Sequence, residues 1–279
     1  MVLFLSSCNE DNSINNVNKD NNSYLFSVDY VNLWNPINHL DSIGFYHNMI
    51  LDYSISNSTT IPTTQLPYHI DSIIYSSASN NYNYVYNLDS NRENNDLFIS
   101  ELQNSILNND TFYDYLGNNF SQNTTDTLIS LFELMKTCDD FSKIEYTIQK
   151  IKILEMNVYA NAGFTNQEKN IILSSTSVAK FSIVYWADTH YNTNNPWYIW
   201  AEDYRTEMND TPMLIGWVSA AFADVVKVAI EVGRGNEDIV DIAAKSAVSS
   251  AFGYIAGTAE TVGNFIGGVI GTVISWFGF

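Results

Sequence analysis

Cysteine is nearly absent: the 279 residues hold two, Cys8 and Cys138. A pair so widely spaced builds neither a disulfide framework nor a zinc-ligand spacing. Basic residues are also scarce. Twelve Lys and Arg face 31 Asp and Glu, for a net charge of −19, and only Lys19 and Arg92 are basic before Lys136. Such a surface repels a phosphate backbone, so nucleic acid is not an expected partner. Four histidines, His39, His47, His69 and His190, include no pair at i, i+4, and there is no HExxH. No GxSxG elbow and no phosphate loop GxxxxGK[ST] occurs. Adjacent acids, Asp139-Asp140 and Glu202-Asp203, read as helix caps or solvated faces. The expectation is therefore no catalytic residue, no metal, no cofactor and no enzymatic activity.

What is present is apolar and aromatic: hydrophobic residues make up 46% and charged residues 15%. That composition supports a sizeable core in one large domain or two small ones. Helical spacing dominates. Leu40, Ile43, His47, Ile50 and Leu51 share one face, behind Asn38 or Asp41 as a cap. Within residues 57–90, TTIPTTQLPYHIDSIIYSS could hold a short helix, and SNNYNYVYNLD, which alternates polar and aromatic residues, reads as a loop rather than an exposed strand. Leu97, Ile99, Leu102 and Ile106 give a further helix. Thr125-Asp126 is expected to cap the next, with Asp139-Asp140 interrupting or re-capping it. Phe141, Ile144, Ile148 and Ile151 continue an apolar stripe to about Val158, and Gly163 supplies a stop.

Thr165 and Glu168 form a capping box that opens a helix to about Trp186. Asn195-Pro196 and Thr211-Pro212 each place proline at a first helical position. Gly233 and Gly235 stop the second of these helices, and Asn236 to Asp238 start a long final segment. The fold class is therefore all-α: a multi-helix bundle with a C-terminal glycine-rich helical hairpin and little or no β. The organisation reads as residues 1–8, a polar linker at 9–30, a helical body at 31–211 and a glycine-rich apolar helical segment at 212–279.

That last segment ends GNFIGGVIGTVISWFGF. Gly263, Gly267 and Gly271 recur every four residues, as Ser249, Gly253 and Gly257 do earlier. Each helical glycine costs about 0.8–1.0 kcal/mol relative to alanine, so close packing must offset it. Small residues at this spacing let two helices approach closely. Three readings stay open: a tight hairpin in the core, a segment that enters a bilayer, or a self-assembly seam through residues 245–279. Thr261 to Phe279 is uncharged and near the lower length for a span. Glycine zippers of pore-formers suggest by analogy a second function, a toxin-like or bacteriocin-like effector whose hairpin inserts into membranes. Trp186, Trp197 and Trp200, flanked by Asn, are candidates for stacking on a ligand, or for core. Cys138 reads as a small core residue.

Three short motifs carry a resemblance. Val2 to Leu5 are apolar and Leu5-Ser6-Ser7-Cys8 resembles a bacterial lipobox, although Met1 to Ser7 hold no Lys or Arg. Asn9-Glu10-Asp11 resembles the acidic export signal of Bacteroidetes surface lipoproteins. Gly44, His47 and Asn48, a G-x-x-H-N string, are similar to uncharacterised proteins of the same group. The resemblance implies acylation of Cys8, a signal ending there, and a bilayer partner held through the acyl chains. It also implies an outer-membrane or cell-surface location in a Gram-negative bacterium, and a binding or interaction role. Asn48 is expected to hydrogen-bond across a helix junction.

Overall fold

A computed structural model describes residues 30–57, 70–82, 84, 116–138, 140–207 and 216–255. Helix accounts for 83% of the described residues and strand for none of them. A 3-10 turn at Tyr30–Leu33 precedes α1 (Asp41–Asn57) and α2 (Ile70–Tyr82). Then come α3 (Gln122–Lys136), a 3-10 turn at Phe141–Lys143, α4 (Ile144–Ala160) and α5 (Asn166–Tyr191). The chain continues with α6 (Pro196–Glu207), α7 (Gly216–Gly233) and α8 (Ile239–Ile255).

The bundle is organised around α5. At 26 residues it is about 39 Å long, and every residue from Ile171 to Ala187 is buried. It packs most extensively on α7, then on α1 and α4, with α3 and α6 also against it. Its sequence explains the position. IILSSTSVAKFSIVYWA has no charged stripe to give to water, so all its sides must be covered. The hydroxyls among these residues are small enough for close helix crossings, and one turns back on its own helix: Thr176 donates to the Leu173 carbonyl at 3.0 Å. α7 and α8 form an antiparallel hairpin turned at Gly235, whose φ of 88° suits glycine. α8 also packs on α1, α2 and α6, so the hairpin lies within the same bundle as the body that precedes it.

Local signals in the sequence meet the structure unevenly. The capping box is complete: Glu168 N–H donates to Thr165 Oγ1 at 3.2 Å and Thr165 N–H to Glu168 Oε2 at 2.7 Å. Asn195 Oδ1 accepts from Trp197 N at 2.9 Å, as the Asn-Pro cap requires. Asp140 re-caps the chain by accepting from Ser142 N at 2.8 Å. The cap of α3 is Ser121, not Thr125, whose hydroxyl is buried and donates to the Leu116 carbonyl at 3.2 Å. The stretch that could hold a short helix does so in α2, where Ile70, Ile74 and Ala78 recur at four-residue spacing and are buried, and the helix runs on to Tyr82, into the part read as loop. α5 runs five residues past the expected end at Trp186. α4 ends at Asn161, whose Oδ1 accepts from Gly163 N at 2.8 Å. The helix expected from Leu97 to Ile106 and the Thr211-Pro212 cap lie outside the described residues.

Candidate functional site

The G-x-x-H-N string occupies the first half of α1, where it crosses α5. Gly44 marks the closest approach. A Cβ there would lie 2.6 Å from the Phe181 ring and 2.7 Å from the Ser177 carbonyl oxygen. Its N–H donates to Ser177 Oγ at 3.0 Å. Asn48 Nδ2 donates to the Phe181 carbonyl at 3.0 Å, so its Oδ1 is turned to His47 Nδ1, 2.8 Å away. Asn48 thus bonds across the α1–α5 junction.

His47 Nε2 lies 3.0 Å from Asp224 Oδ2 on α7 and 3.3 Å from Ser250 Oγ on α8. Ser182 of α5 donates to Asp224 Oδ2, and Ser246 of α8 donates to Oδ1 at 3.1 Å. Four helices meet at this one cluster. Its residue types are those of a hydrolase triad, but its geometry is not. In a triad one imidazole nitrogen faces the nucleophile and the other the carboxylate. Here Asp224 and Ser250 share Nε2, and Nδ1 is held by an amide. Both His47 and Asp224 have fully buried side chains, so no substrate atom reaches them in this conformation. What the cluster does is fix the mutual register of α1, α5, α7 and α8.

A second buried cluster joins α1, α4 and α5. Lys180 Nζ lies 2.8 Å from Asp41 Oδ1 and 2.9 Å from Glu155 Oε1, with all three side chains fully buried. Asn35 and Asn38 each donate to Glu155 at 2.7 Å, and Asn38 also donates to the Leu173 carbonyl at 2.8 Å. The Asn35 N–H donates to Asp41. Two carboxylates share one ammonium. Burial, with Glu155 adding to it, pushes the Asp41 carboxyl up to about 6, although Lys180 pulls the other way. Lys152, at the edge of the cluster, is held below the usual lysine range by burial and by Lys180.

The third cluster lies in the α7–α8 hairpin. Glu231 sits 3.1 Å from Lys227 and 2.9 Å from Lys245, and Lys245 reaches Asp241 at 2.7 Å. Asn236 donates to Asp241 at 2.6 Å, and the Tyr84 hydroxyl also donates to Asp241. Burial alone would raise Glu231, but the two lysines more than offset it and hold it below the usual carboxylate range. Bonds to Asp241 and Glu231 raise Lys245 against its own burial.

The candidate stacking residues are packed on one another. Trp186 and Trp197 are fully buried, and Trp200 is partly buried. Trp186 stacks on Tyr254 with centroids 4.6 Å apart and meets Trp197 edge-on at 6.0 Å. Trp197 Nε1 donates to the Tyr185 hydroxyl at 3.0 Å. Ser249 and Gly253 lie on α8. A Cβ at Gly253 would be 3.5 Å from Ala223 Cβ and 3.7 Å from Ala220 Cα, so this part of the small-residue stripe is where α8 approaches α7. Cys8, Gly257, Gly263, Gly267 and Gly271 lie outside the described residues. Cys138 is buried with its thiol free of any disulfide.

Lys180, Asp41, Glu155 and Asp224 are not marked by any motif. The signal that finds Lys180 is a solitary charge inside an apolar helical run, SSTSVAKFSIV, and Asp224 lies in a similar run, AAFADVVKVAI, with Lys227 three residues on. Such a charge must be paired when the helix is buried. No group of three or more His, Cys, Asp or Glu among the described residues is arranged to hold a metal ion. No protein-family model, no curated protein and no solved structure matches the chain.

Proposed function

We propose that the chain is a lipid-anchored protein of the bacterial cell envelope, carried on acyl chains at Cys8, whose helical body serves binding rather than catalysis. The observation that carries this reading is Leu5-Ser6-Ser7-Cys8 behind an apolar run and ahead of the polar stretch at 9–29. A chain of that length reaches at most about 70 Å, enough to hold a body of this size clear of a membrane. The reading is supported by the character of the body. Its Ser, His and Asp side chains are spent on one another in the interior, in a geometry that suits helix registration. Two or more acyl chains at one cysteine give stable anchoring where one does not.

The test is direct. The chain is expressed in a Gram-negative host with lipoprotein processing, and membranes are separated from soluble protein. Acylation adds lipid mass to the peptide that begins at Cys8, and Cys8→Ser moves the protein out of the membrane fraction. An unmodified Cys8 with unchanged fractionation overturns the reading.

A second reading has one observation in its favour. The α7–α8 hairpin carries its own counter-ions, since Lys227, Glu231, Lys245 and Asp241 pair among themselves. A hairpin that left the bundle for a bilayer would take these paired charges with it, together with Ser249 and Gly253 of the small-residue stripes, but would break the bonds of Asp224 to His47 and Ser182, of Ser250 to His47 and of Tyr84 to Asp241. Against it stands the interface of α5 with α7, the most extensive in the body. No helix among the described residues is long and apolar enough to cross a membrane. Dye release from liposomes by the Cys8→Ser chain tests this toxin-like reading, and intact liposomes at neutral and acidic pH exclude it.

A further inference from the structure

Seven large hydrophobic side chains are strongly exposed among the described residues, and four of them, Tyr146, Ile153, Met156 and Tyr159, belong to α4. They do not scatter. The inward face of α4 is made by Ile144, Thr147, Ile148, Ile151, Glu155 and Val158. Tyr146, Ile153 and Asn157 run along the centre of the opposite face, with Lys150 to one side and Met156 to the other, and Tyr159 lies at the border with the inward face, next to Ile148. Tyr146 is 59% exposed, Tyr159 56%, Ile153 44% and Met156 42%. A bundle helix normally gives such positions to polar residues.

The charge on this face is also unlike the rest of the chain. Lys143, Lys150 and Lys169 lie on or beside it, three of the twelve basic residues in a chain of net charge −19, while Lys152 is turned to the Asn32 carbonyl at the edge of the Lys180 cluster. Lys150 Nζ sits 5.2 Å from the Tyr146 ring centroid. Lys169 Nζ sits 5.9 Å from that of Tyr159 and donates to the Tyr159 carbonyl at 2.7 Å. Of the acids of α4, Glu145 is exposed, but Glu155 faces inward onto Lys180. Asp140 faces Lys143, and the Glu168 carboxylate is tied to Thr165 N–H and Ser121.

We propose that the outward face of α4 is a docking surface for an anionic lipid headgroup layer. The chemistry matches part by part. Ammonium groups meet phosphates, tyrosine rings lie at headgroup depth, and Ile153 and Met156 reach the acyl boundary. The acidity of the whole body does not prevent this. Fields are screened over about 8 Å at physiological salt, so a bilayer in contact with α4 feels mainly the lysines of that face. A second copy of the chain fits less well, because one face of a 17-residue helix offers far less than the roughly 800 Å² per partner of a stable interface. The inference extends the lipid-anchored reading: an acidic body tethered to an anionic membrane turns a lysine-bearing, aromatic face toward it. Its test does not depend on the anchor.

The full chain carrying Cys8→Ser, so that no acyl group contributes, is floated with vesicles of phosphatidylcholine alone or doped with phosphatidylglycerol. Retention on the doped vesicles at physiological ionic strength is expected, with loss of at least about tenfold in Lys150→Glu/Ile153→Glu. These side chains point outward, so the thermal melt of the variant stays with that of the parent. No flotation overturns the proposal, as does equal flotation on both vesicle types or flotation unchanged by the variant. A dimer that the variant breaks, without flotation, would make the face a contact between copies and overturn it too. Flotation without Cys8 acylation in cells keeps the docking face and sinks the anchor, and acylation without flotation does the reverse.

Discussion

The ionic cluster around Lys180 of α5 and the one within the α7–α8 hairpin use the same residue types in different proportion. Around Lys180, two carboxylates share one ammonium, so Asp41 is pushed up to about 6. In the α7–α8 hairpin, Lys227 and Lys245 alternate with Glu231 and Asp241, and Glu231 is held low. The difference teaches that burial alone does not set the response of a charge. The ratio of cations to anions decides whether a carboxyl is eager to take a proton or reluctant.

Removing the cation is the strongest way to probe this contrast. Lys180→Met leaves Asp41 and Glu155 buried without a counter-charge and is expected to cost about 3–5 kcal/mol in denaturant unfolding. Lys227→Met leaves Glu231 still paired with Lys245 and should cost about 1–2 kcal/mol. Equal losses in the two variants would break the comparison.

The α1–α5 crossing is the next most sensitive point. Gly44→Ala forces a methyl against the Phe181 ring and the Ser177 backbone carbonyl, with an expected loss of about 1–3 kcal/mol. Gly117, with open space around it, is the control: a Cβ there meets nothing within 4 Å. Calorimetric melts of Gly44→Ala and Gly117→Ala should therefore separate clearly.

Proton uptake sharpens the comparison further. A carboxyl raised from 3.8 to about 6 binds its proton more readily folded than unfolded. Its contribution is present at low pH and is lost as pH rises from about 4 to about 6. Asp188, raised by burial, acts in the same sense. Glu231 acts in the opposite sense, contributing above its ordinary value of 4.5 and losing that contribution as pH falls further. The melting temperature should accordingly rise on going from pH 7 to 5 and fall again below about 4. A melting temperature that falls steadily from pH 7 to 4 would contradict the assignment of Asp41. The smallest effect is expected at the exposed capping box, where Thr165→Ala should cost about 1 kcal/mol and leave the rise between pH 7 and 5 unchanged.

These regions also differ in how much of them is legible in sequence. The capping box at Thr165 and Glu168 and the Asn195-Pro196 start are contained within a few residues, and their patterns name the interactions the structure makes. Ser121 displaces Thr125 as a cap because Thr125 is drawn inward to the Leu116 carbonyl, a preference set by packing. Only the last turn of α2 is hidden, because Ser79-Asn80-Asn81-Tyr82 are poor helix formers and follow a helix held by the burial of Ile70, Ile74 and Ala78. The G-x-x-H-N string is visible as a pattern, yet its partners Ser177, Phe181, Asp224 and Ser250 lie far along the chain. Lys180 is the extreme case. It lies 139 residues from Asp41 and 25 from Glu155, so no local spacing predicts the triad. Only the oddity of a lysine among apolar neighbours points to it.

The account rests on buried polar clusters that lock the helices around α5. The measurement that tests it most directly is denaturant unfolding of Lys180→Met beside the parent chain at pH 7 and pH 5. The account predicts a loss of about 3–5 kcal/mol at pH 7 that shrinks clearly at pH 5, where a carboxyl of the orphaned pair takes up a proton. A variant as stable as the parent at pH 7, or a loss that does not change with pH, would contradict it.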